Sequence, residues 1–281
     1  MIGIIGGTGI YQLDGLEINS EQDFDTPFGS PSSTLKIGLL SGREIAFLPR
    51  HGEHHQFLPS EVNYRANIFA MKLAGVTEII GISAVGSLRK EIKSGEFSVP
   101  DQYFDWTKGN RKATFFGNGL VAHVSMARPA CPRLIAAIVQ AGAANGETIH
   151  TGKVYAAVEG PRLGSQAESH FLRGAGCDLV GMTNVPEAFL AREAQICYAT
   201  IAIATDYDCW LNDPDQHVTV AMVIEWYGVS LGRVQNLLTT ILANNLPAVE
   251  HHCRTSLDEA LLTPEDGLEA GNRKLLEVLK R

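Results

Sequence analysis

A chain of 281 residues, 45% hydrophobic and 19% charged, holds enough apolar material for one large domain or two modest ones. Its net charge of −8 and lack of any Lys/Arg cluster exclude a nucleic-acid binder working through a basic stripe. No apolar run approaches the ~20 residues of a bilayer span, whereas a small anionic substrate stays open, because a few aimed Arg, His and backbone N–H groups can hold one.

The segment Met1–Ile5 enters an apolar run with no basic n-region and no small-residue cleavage site, so it predicts a buried strand, Ile2–Ile5, rather than a signal peptide. Thr34–Leu40 and Glu44–Leu48, joined across Ser41-Gly42, predict an antiparallel pair. Val62–Leu73 has helical spacing, with Gly75 as its stop. Glu78–Ala84 reads as a buried strand running into Val85-Gly86-Ser87. Leu134–Ala143 reads as a helix and Gly152–Val158 as extended. A helix at Gln166–Arg173, a short strand at Asp178–Val180 and a helix at Pro186–Ala194 follow. Ile196–Ala204 is apolar on both faces, as central parallel strands are.

Val220–Leu246 carries apolar residues at 220, 223, 224, 227, 231, 234, 238 and 241, the spacing of a long amphipathic helix. Gly228 and Gly232 are its weak points, and Pro247 supplies a stop. The polar segment Glu250–Asp266 precedes a charged tail that reads as a last helix. Without a long Pro/Ser linker or an internal repeat, the economical reading is one α/β domain over 1–281, with 250–281 as a C-terminal helical segment.

The five cysteines (Cys131, Cys177, Cys197, Cys209 and Cys253) are scattered and odd in number, which reads as reduced thiols in a cytoplasmic protein. His251-His252-Cys253 lacks a second cluster at ligand spacing. His51, His54 and His55 fall beside Gly52 and Pro59, in a loop rather than on a helix face. Neither is read as a metal site.

In an open α/β sheet, ligands gather at the carboxyl ends of the strands. The loops there carry unusual residues: Gly6-Gly7-Thr8-Gly9, Arg50-His51-Gly52, Ser83-Ala84-Val85-Gly86, Gly181-Met182-Thr183 and Thr205-Asp206-Tyr207-Asp208. The glycine-rich loop can approach an anion closely, or be a tight turn with no ligand. Arg50-His51 offers a guanidinium fork and an imidazole suited to an oxyanion, or a surface Arg beside a capping His. Asp206 and Asp208 either cap a turn or read a purine. An ionised carboxylate suits the exocyclic amine of adenine and a protonated one suits N7. If the strand geometry continues, the two point to the same side, and their repulsion raises one pKa.

These stretches, in this order, resemble the S-methyl-5'-thioadenosine phosphorylases within the trimeric purine nucleoside phosphorylase family. The matching segments are IGIIGGTG (2–9), DTPFG (25–29), RHG..H (50–55), PS.VNY.AN (59–67), A.GSL..EI..G (84–95), EGPR (159–162), AES (167–169), MT.VPE..LA.EA.ICYA (182–199) and ATDYDCW (204–210). The likeness runs to about residue 245. It implies a central mixed β-sheet flanked by helices, working as a homotrimer. It also implies that Thr8, Arg50, His51, Ser83, Ala84 and Thr183 gather phosphate. Met182 would lie under the ribose, His55 near the sugar, and Thr205, Asp206 and Asp208 against adenine. Val220 and Val223 match residues lining a 5'-methylthio pocket, and His123 one that closes it from the neighbouring subunit.

Two departures bear on the base. Leu163 stands where the family often has Phe, so aliphatic contact replaces aromatic packing. Gly164 and Asp206 stand where enzymes for 6-oxopurines carry Glu and Asn, and both substitutions favour adenine. The resemblance implies that phosphate is the co-substrate and attacks C1', with no cofactor or metal. Asp206 would be the general acid at N7, beside Asp208. The rival readings are a 6-oxopurine nucleoside phosphorylase, a nucleoside hydrolase and a non-catalytic nucleotide-binding protein.

Overall fold

Ile4 and Ile5 are both fully buried yet belong to different hydrophobic clusters, so the first strand is covered on both faces. That is the environment of a central strand with helices on either side. The structure, a computed structural model, describes residues 1–281 except 8, 9, 11, 12, 214–216, 245 and 247–250. In chain order the elements are β1 (Ile2–Gly6), β2 (Glu17–Gln22), β3 (Leu35–Leu40), β4 (Arg43–Pro49), α1 (Tyr64–Leu73), β5 (Glu78–Ser87) and β6 (Phe97–Trp106). There follow α2 (Pro132–Ala144), β7 (Ile149–Val158), α3 (Gln166–Gly174), β8 (Leu179–Gly181), α4 (Asn184–Glu193), β9 (Cys197–Asp206), α5 (Val220–Ala243), α6 (His251–Arg254) and α7 (Ala270–Leu279).

The strands form one mixed sheet in the order β2-β3-β4-β1-β5-β8-β7-β6-β9, and β9 pairs back on β5. The last five strands therefore close into a ring, from which β2, β3, β4 and β1 extend as an open wing. β1 is parallel to β4 and β5, and β5 is parallel to β9, so the carboxyl ends of four strands meet on one side. α1, α4 and α7 cover one face through Ile68, Phe69, Leu190 and Leu276. α2 and α5 cover the other through Leu134, Ile138, Leu237 and Leu238.

Local chemistry sets the helix starts. The Asn63 side chain accepts the N–H of Ala66 at the head of α1, and Ser165 and Glu168 form a reciprocal capping box on α3. Among the described residues, each predicted strand and helix has a counterpart, with shifted ends. β5 continues through Ser87, and β7 starts at Ile149 rather than Gly152. α5 stops at Ala243, where the Asn244 N–H caps the Thr240 carbonyl, and the Pro247 stop lies outside the described residues.

Two strands were not predicted. β2 is an almost wholly exposed edge strand, so it carries no hydrophobic alternation. β6 is interrupted by Pro100, where the register against β7 slips twice. The expectation for α5 also needs correction. Its buried residues are Tyr227, Ser230, Val234, Leu237, Leu238, Ile241 and Leu242, while Val220 and Ile224 in the first two turns are 64% and 62% exposed.

Candidate functional site

The converging strand ends surround a cavity of about 320 Å³. Gly7 follows β1, Arg50-His51 follows β4, Ser83–Gly86 ends β5, and Thr205–Asp208 ends β9. β8 breaks the expected pattern, because it runs antiparallel to β5 with Gly86 opposite Val180. The same register carried three residues further sets Thr183 opposite Ser83. Their hydroxyls are 3.5 Å apart.

Arg50 is buried, and its fork is already engaged. Its Nε and Nη2 donate to the Glu187 carboxylate at 2.5 and 2.7 Å, and its Nη1 donates to the Ile82 carbonyl at 2.9 Å. Burial disfavours its charge, but the Glu187 charge outweighs that and holds the guanidinium protonated well above its ordinary value. The bidentate fork expected for an oxyanion thus grips α4 instead, leaving the remaining N–H groups for a ligand. Gly7 belongs to the same construction. A Cβ there would lie 2.5 Å from the Ile82 carbonyl oxygen that Arg50 uses.

His51 lies 2.8 Å through Nδ1 from the Phe57 carbonyl, so the N–H is on Nδ1 and Nε2 accepts. Burial, then the neighbouring Arg50 charge, push its pKa down to about 4. His51 is therefore a neutral acceptor at neutral pH, complementary to a protonated oxyanion rather than a bare one. His55 stacks on it at 4.5 Å, with φ of 52° in the left-handed region.

Thr183 sits at the N-cap of α4 without donating or accepting a side-chain cap bond, so its hydroxyl is not spent on the helix. Ser83 and Thr183 are both buried, and with Ala84 they line the cavity beside Arg50. The two hydroxyls and the residual guanidinium N–H groups make an anion-binding set.

Across the cavity, Asp206 is 2% exposed. Thr205 Oγ1 donates to its Oδ2 and the Asp208 N–H to its Oδ1, each at 2.7 Å. Burial raises its pKa to about 6, against the pull of those two hydrogen bonds; the Asp208 charge is the smallest contribution. The expected cause, repulsion between paired carboxylates, is therefore secondary to desolvation. The strand geometry does not continue either, since β9 ends at Asp206 and Asp208 has φ of 51°. This left-handed turn still leaves Asp208 on the cavity wall, buried, with its pKa raised by burial. Gly86 makes room for both: a Cβ there would meet Asp206 Oδ1 at 2.9 Å and the Asp208 Cβ at 3.2 Å.

Leu163, Met182, His55, Val220 and Val223 complete the wall, so all the expected site residues but two line one cavity. Thr8 lies outside the described residues. His123 is exposed and away from this cavity, with its N–H donating to the Ala260 carbonyl.

Residues 1–243 match the family model described as the phosphorylase superfamily. The chain belongs to that superfamily. It is 43% identical to S-methyl-5'-thioadenosine phosphorylase of Geobacter sulfurreducens, over 99% of this chain and 97% of the relative. Among solved structures it is similar to a methylthioadenosine phosphorylase sourced from an Antarctic soil metagenomic library (TM-score 0.91, 41% identity, 99% of this chain and 98% of the other). It is also similar to methylthioadenosine phosphorylase from Schistosoma mansoni in complex with adenine (TM-score 0.87, 34% identity, 93% and 98%).

On this phosphorylase fold, several residues that sequence reasoning missed hold the site in shape. Glu187 aims Arg50 and also accepts from Tyr198 Oη at 2.7 Å. Arg111, almost fully buried, donates to the carbonyls of Met182 at 2.5 Å, Val185 at 2.8 Å and Glu159 at 2.9 Å. It thereby ties the Met182 loop to the end of β7. Glu187 lies in the matching segment MT.VPE, but nothing there ties it to Arg50, and Arg111 reads as an ordinary loop Arg. A third omission concerns the cysteines. Cys131, Cys197 and Cys253, scattered along the chain, come together in space.

Proposed function

We propose that the chain catalyses phosphorolysis of S-methyl-5'-thioadenosine, releasing adenine and 5-methylthioribose 1-phosphate. The observation that carries this reading is Asp206: a buried carboxyl held near pKa 6 on the wall of a cavity that also contains an anion-binding set. The names of the full-length relatives agree with it.

Phosphate, gathered by Arg50, His51, Ser83, Ala84, Thr183 and Thr8, is the nucleophile, so no further cofactor enters the reaction. One of its oxygens forms the bond to C1' as the C1'–N9 bond breaks and its electron pair moves into the purine. Protonated Asp206 delivers its proton to N7, which neutralises the leaving base. The neutral His51 Nε2 accepts the hydrogen of a hydrogen phosphate, which orients the ion. Ionised Asp208 accepts from the exocyclic amine of adenine, and Thr205 holds Asp206 in place. Met182 packs under the ribose and Leu163 against the base. His55, stacked on His51, sits near the sugar, and Val220 and Val223 line the end that receives the 5'-methylthio group.

We read residues 1–281 as one phosphorylase domain assembled into a homotrimer. Support comes from the exposed apolar side chains of Val220, Ile224 and Val229 on α5, and exposed His123 is free to take the role in a neighbour's pocket that the resemblance implies. The five unpaired cysteines support a cytoplasmic setting, and no helix among the described residues is long and apolar enough to cross a membrane.

Release of the free base (adenine from methylthioadenosine and adenosine, hypoxanthine from inosine), each with and without phosphate, tests the reading. Methylthioadenosine is expected to be cleaved fastest and only with phosphate. Faster cleavage of inosine would decide for a 6-oxopurine enzyme, and cleavage without phosphate for a hydrolase. Binding without cleavage would leave a nucleotide-binding protein.

A further inference from the structure

Cys131 is the N-cap of α2, Cys197 opens β9, and Cys253 lies on α6, yet their three sulfur atoms all fall within 4.8 Å of one another. None is more than 3% exposed. The other two thiols stand apart: Cys177 packs in a separate cluster with Leu88 and Leu172, and Cys209 donates to the Gly164 carbonyl. The segments that carry the trio are fixed to one another. The Cys131 N–H donates to the Tyr198 carbonyl at 2.8 Å, and Arg254 Nη1 donates to the Gln195 carbonyl at 3.1 Å.

The surroundings complement negative sulfur. The Arg133 guanidinium, paired with the Glu78 carboxylate, also interacts with Cys197, and Arg192 interacts with Cys253, its buried Nε having no hydrogen-bond partner among the described residues. His252 Nε2 lies 3.5 Å from Cys253 Sγ. With Zn–S of about 2.3 Å, a tetrahedral centre has S···S edges of about 3.8 Å. The three sulfurs need to draw together by no more than about 1 Å to reach that spacing.

We propose that Cys131, Cys197 and Cys253 form a structural site for a thiophilic d10 cation, Zn(II) or Cu(I). Three soft sulfurs select ions of this class. Each thiol releases its proton to solvent as its metal–sulfur bond forms, with no change of oxidation state. Arg192 offsets part of the excess negative charge, whereas the Arg133 charge is already matched by Glu78. The ion would clamp α6 and the start of the C-terminal segment onto the amino ends of α2 and β9. Asp206 lies at the opposite end of β9, some 30 Å away at about 3.3 Å per residue, so the site is separate from the substrate cavity.

The test uses the full-length protein, reduced and stripped with a chelator, then titrated without oxygen. Zn(II) competes against a chromophoric zinc chelator in one arm, and Cu(I) against bicinchoninate in the other. One equivalent per chain is expected in at least one arm, with Tm rising by several degrees when free ion exceeds Kd a hundredfold. Cys131→Ser and Cys253→Ser are expected to weaken binding at least 100-fold, and Cys177→Ser to leave it unchanged. Co(II) added to the unaltered protein should give a sulfur-to-cobalt charge-transfer band, a readout that needs no variant to fold. Absence of saturable binding in both arms would overturn the proposal. So would a Cys177→Ser loss equal to that of Cys131→Ser, or reduced thiols that only form a disulfide on oxidation and hold neither ion.

Discussion

Asp206→Ala is expected to lower kcat by ~10²–10⁴ while leaving the KM for phosphate within a few-fold of its starting value. The proton donor to the base is lost, whereas the anion-binding set across the cavity keeps its contacts. Unchanged turnover would remove Asp206 from the mechanism. The pH profile gives a second reading, because only the protonated carboxyl can act as acid. With a pKa of about 6, kcat/KM should fall as pH rises above that value in the free enzyme. Stability should move with the same group. The folded pKa is raised above the ordinary aspartate value of 3.8, so the contribution of Asp206 to stability is complete below pH 4 and is lost as pH rises through 6. At pH 7 the ionised, buried carboxylate therefore opposes folding by about 3 kcal/mol. Asp206→Asn removes that penalty. The Asn oxygen can accept the Asp208 N–H, and the Thr205 hydroxyl can turn to accept from the amide. The Asn variant is thus expected to melt higher than the parent at pH 8 and level with it at pH 4, while cleaving methylthioadenosine slowly. Its amide can donate to a 6-oxo group, so its residual activity should shift towards inosine.

How much of this was legible in the chain depends on whether a residue acts alone or through a partner. The strands that build the site, β1, β4, β5 and β9, are apolar runs ending in conspicuous loops, and their parallel arrangement turns sequence order into spatial convergence. β2 and β6 were opaque because one is an exposed edge and the other is broken at Pro100. The antiparallel run of β8 could not be read from three residues, yet it is what sets Thr183 opposite Ser83. Protonation was harder still. Two neighbouring aspartates read naturally as a repelling pair, but the dominant effect on Asp206 is the solvent removed from around it, which only the packed fold defines. The same holds for His51, whose neutrality follows from burial and from Arg50 beside it. Glu187, Arg111 and the three clustered cysteines are separated from their partners by dozens of residues, with no spacing rule to join them.

Glu187→Gln keeps the volume and one acceptor oxygen but removes the charge that compensates Arg50. Both side chains are almost inaccessible to solvent, at 0% and 1%. Breaking such a pair from one side leaves a buried guanidinium uncompensated, which is expected to lower unfolding free energy by about 3–5 kcal/mol at neutral pH. A surface ion pair would lose about 1 kcal/mol or less, so chemical denaturation distinguishes the two cases. Stability within 1 kcal/mol of the parent would refute the compensating role. The Tyr198 hydroxyl, which donates to the same carboxylate, can re-form its bond to the Gln oxygen, so the loss reports charge rather than shape. Phosphate supplies the internal control. In the parent the Arg50 charge is already neutralised, and the anion adds only its own binding free energy. In Glu187→Gln the anion would also compensate the stranded guanidinium. Saturating phosphate should therefore raise Tm more in the variant than in the parent. Chloride at matched ionic strength should not. The kinetic counterpart is a split between parameters: kcat should fall several-fold as Arg50 loses the hold of Glu187, while KM for phosphate stays level or drops, because the uncompensated guanidinium attracts the anion.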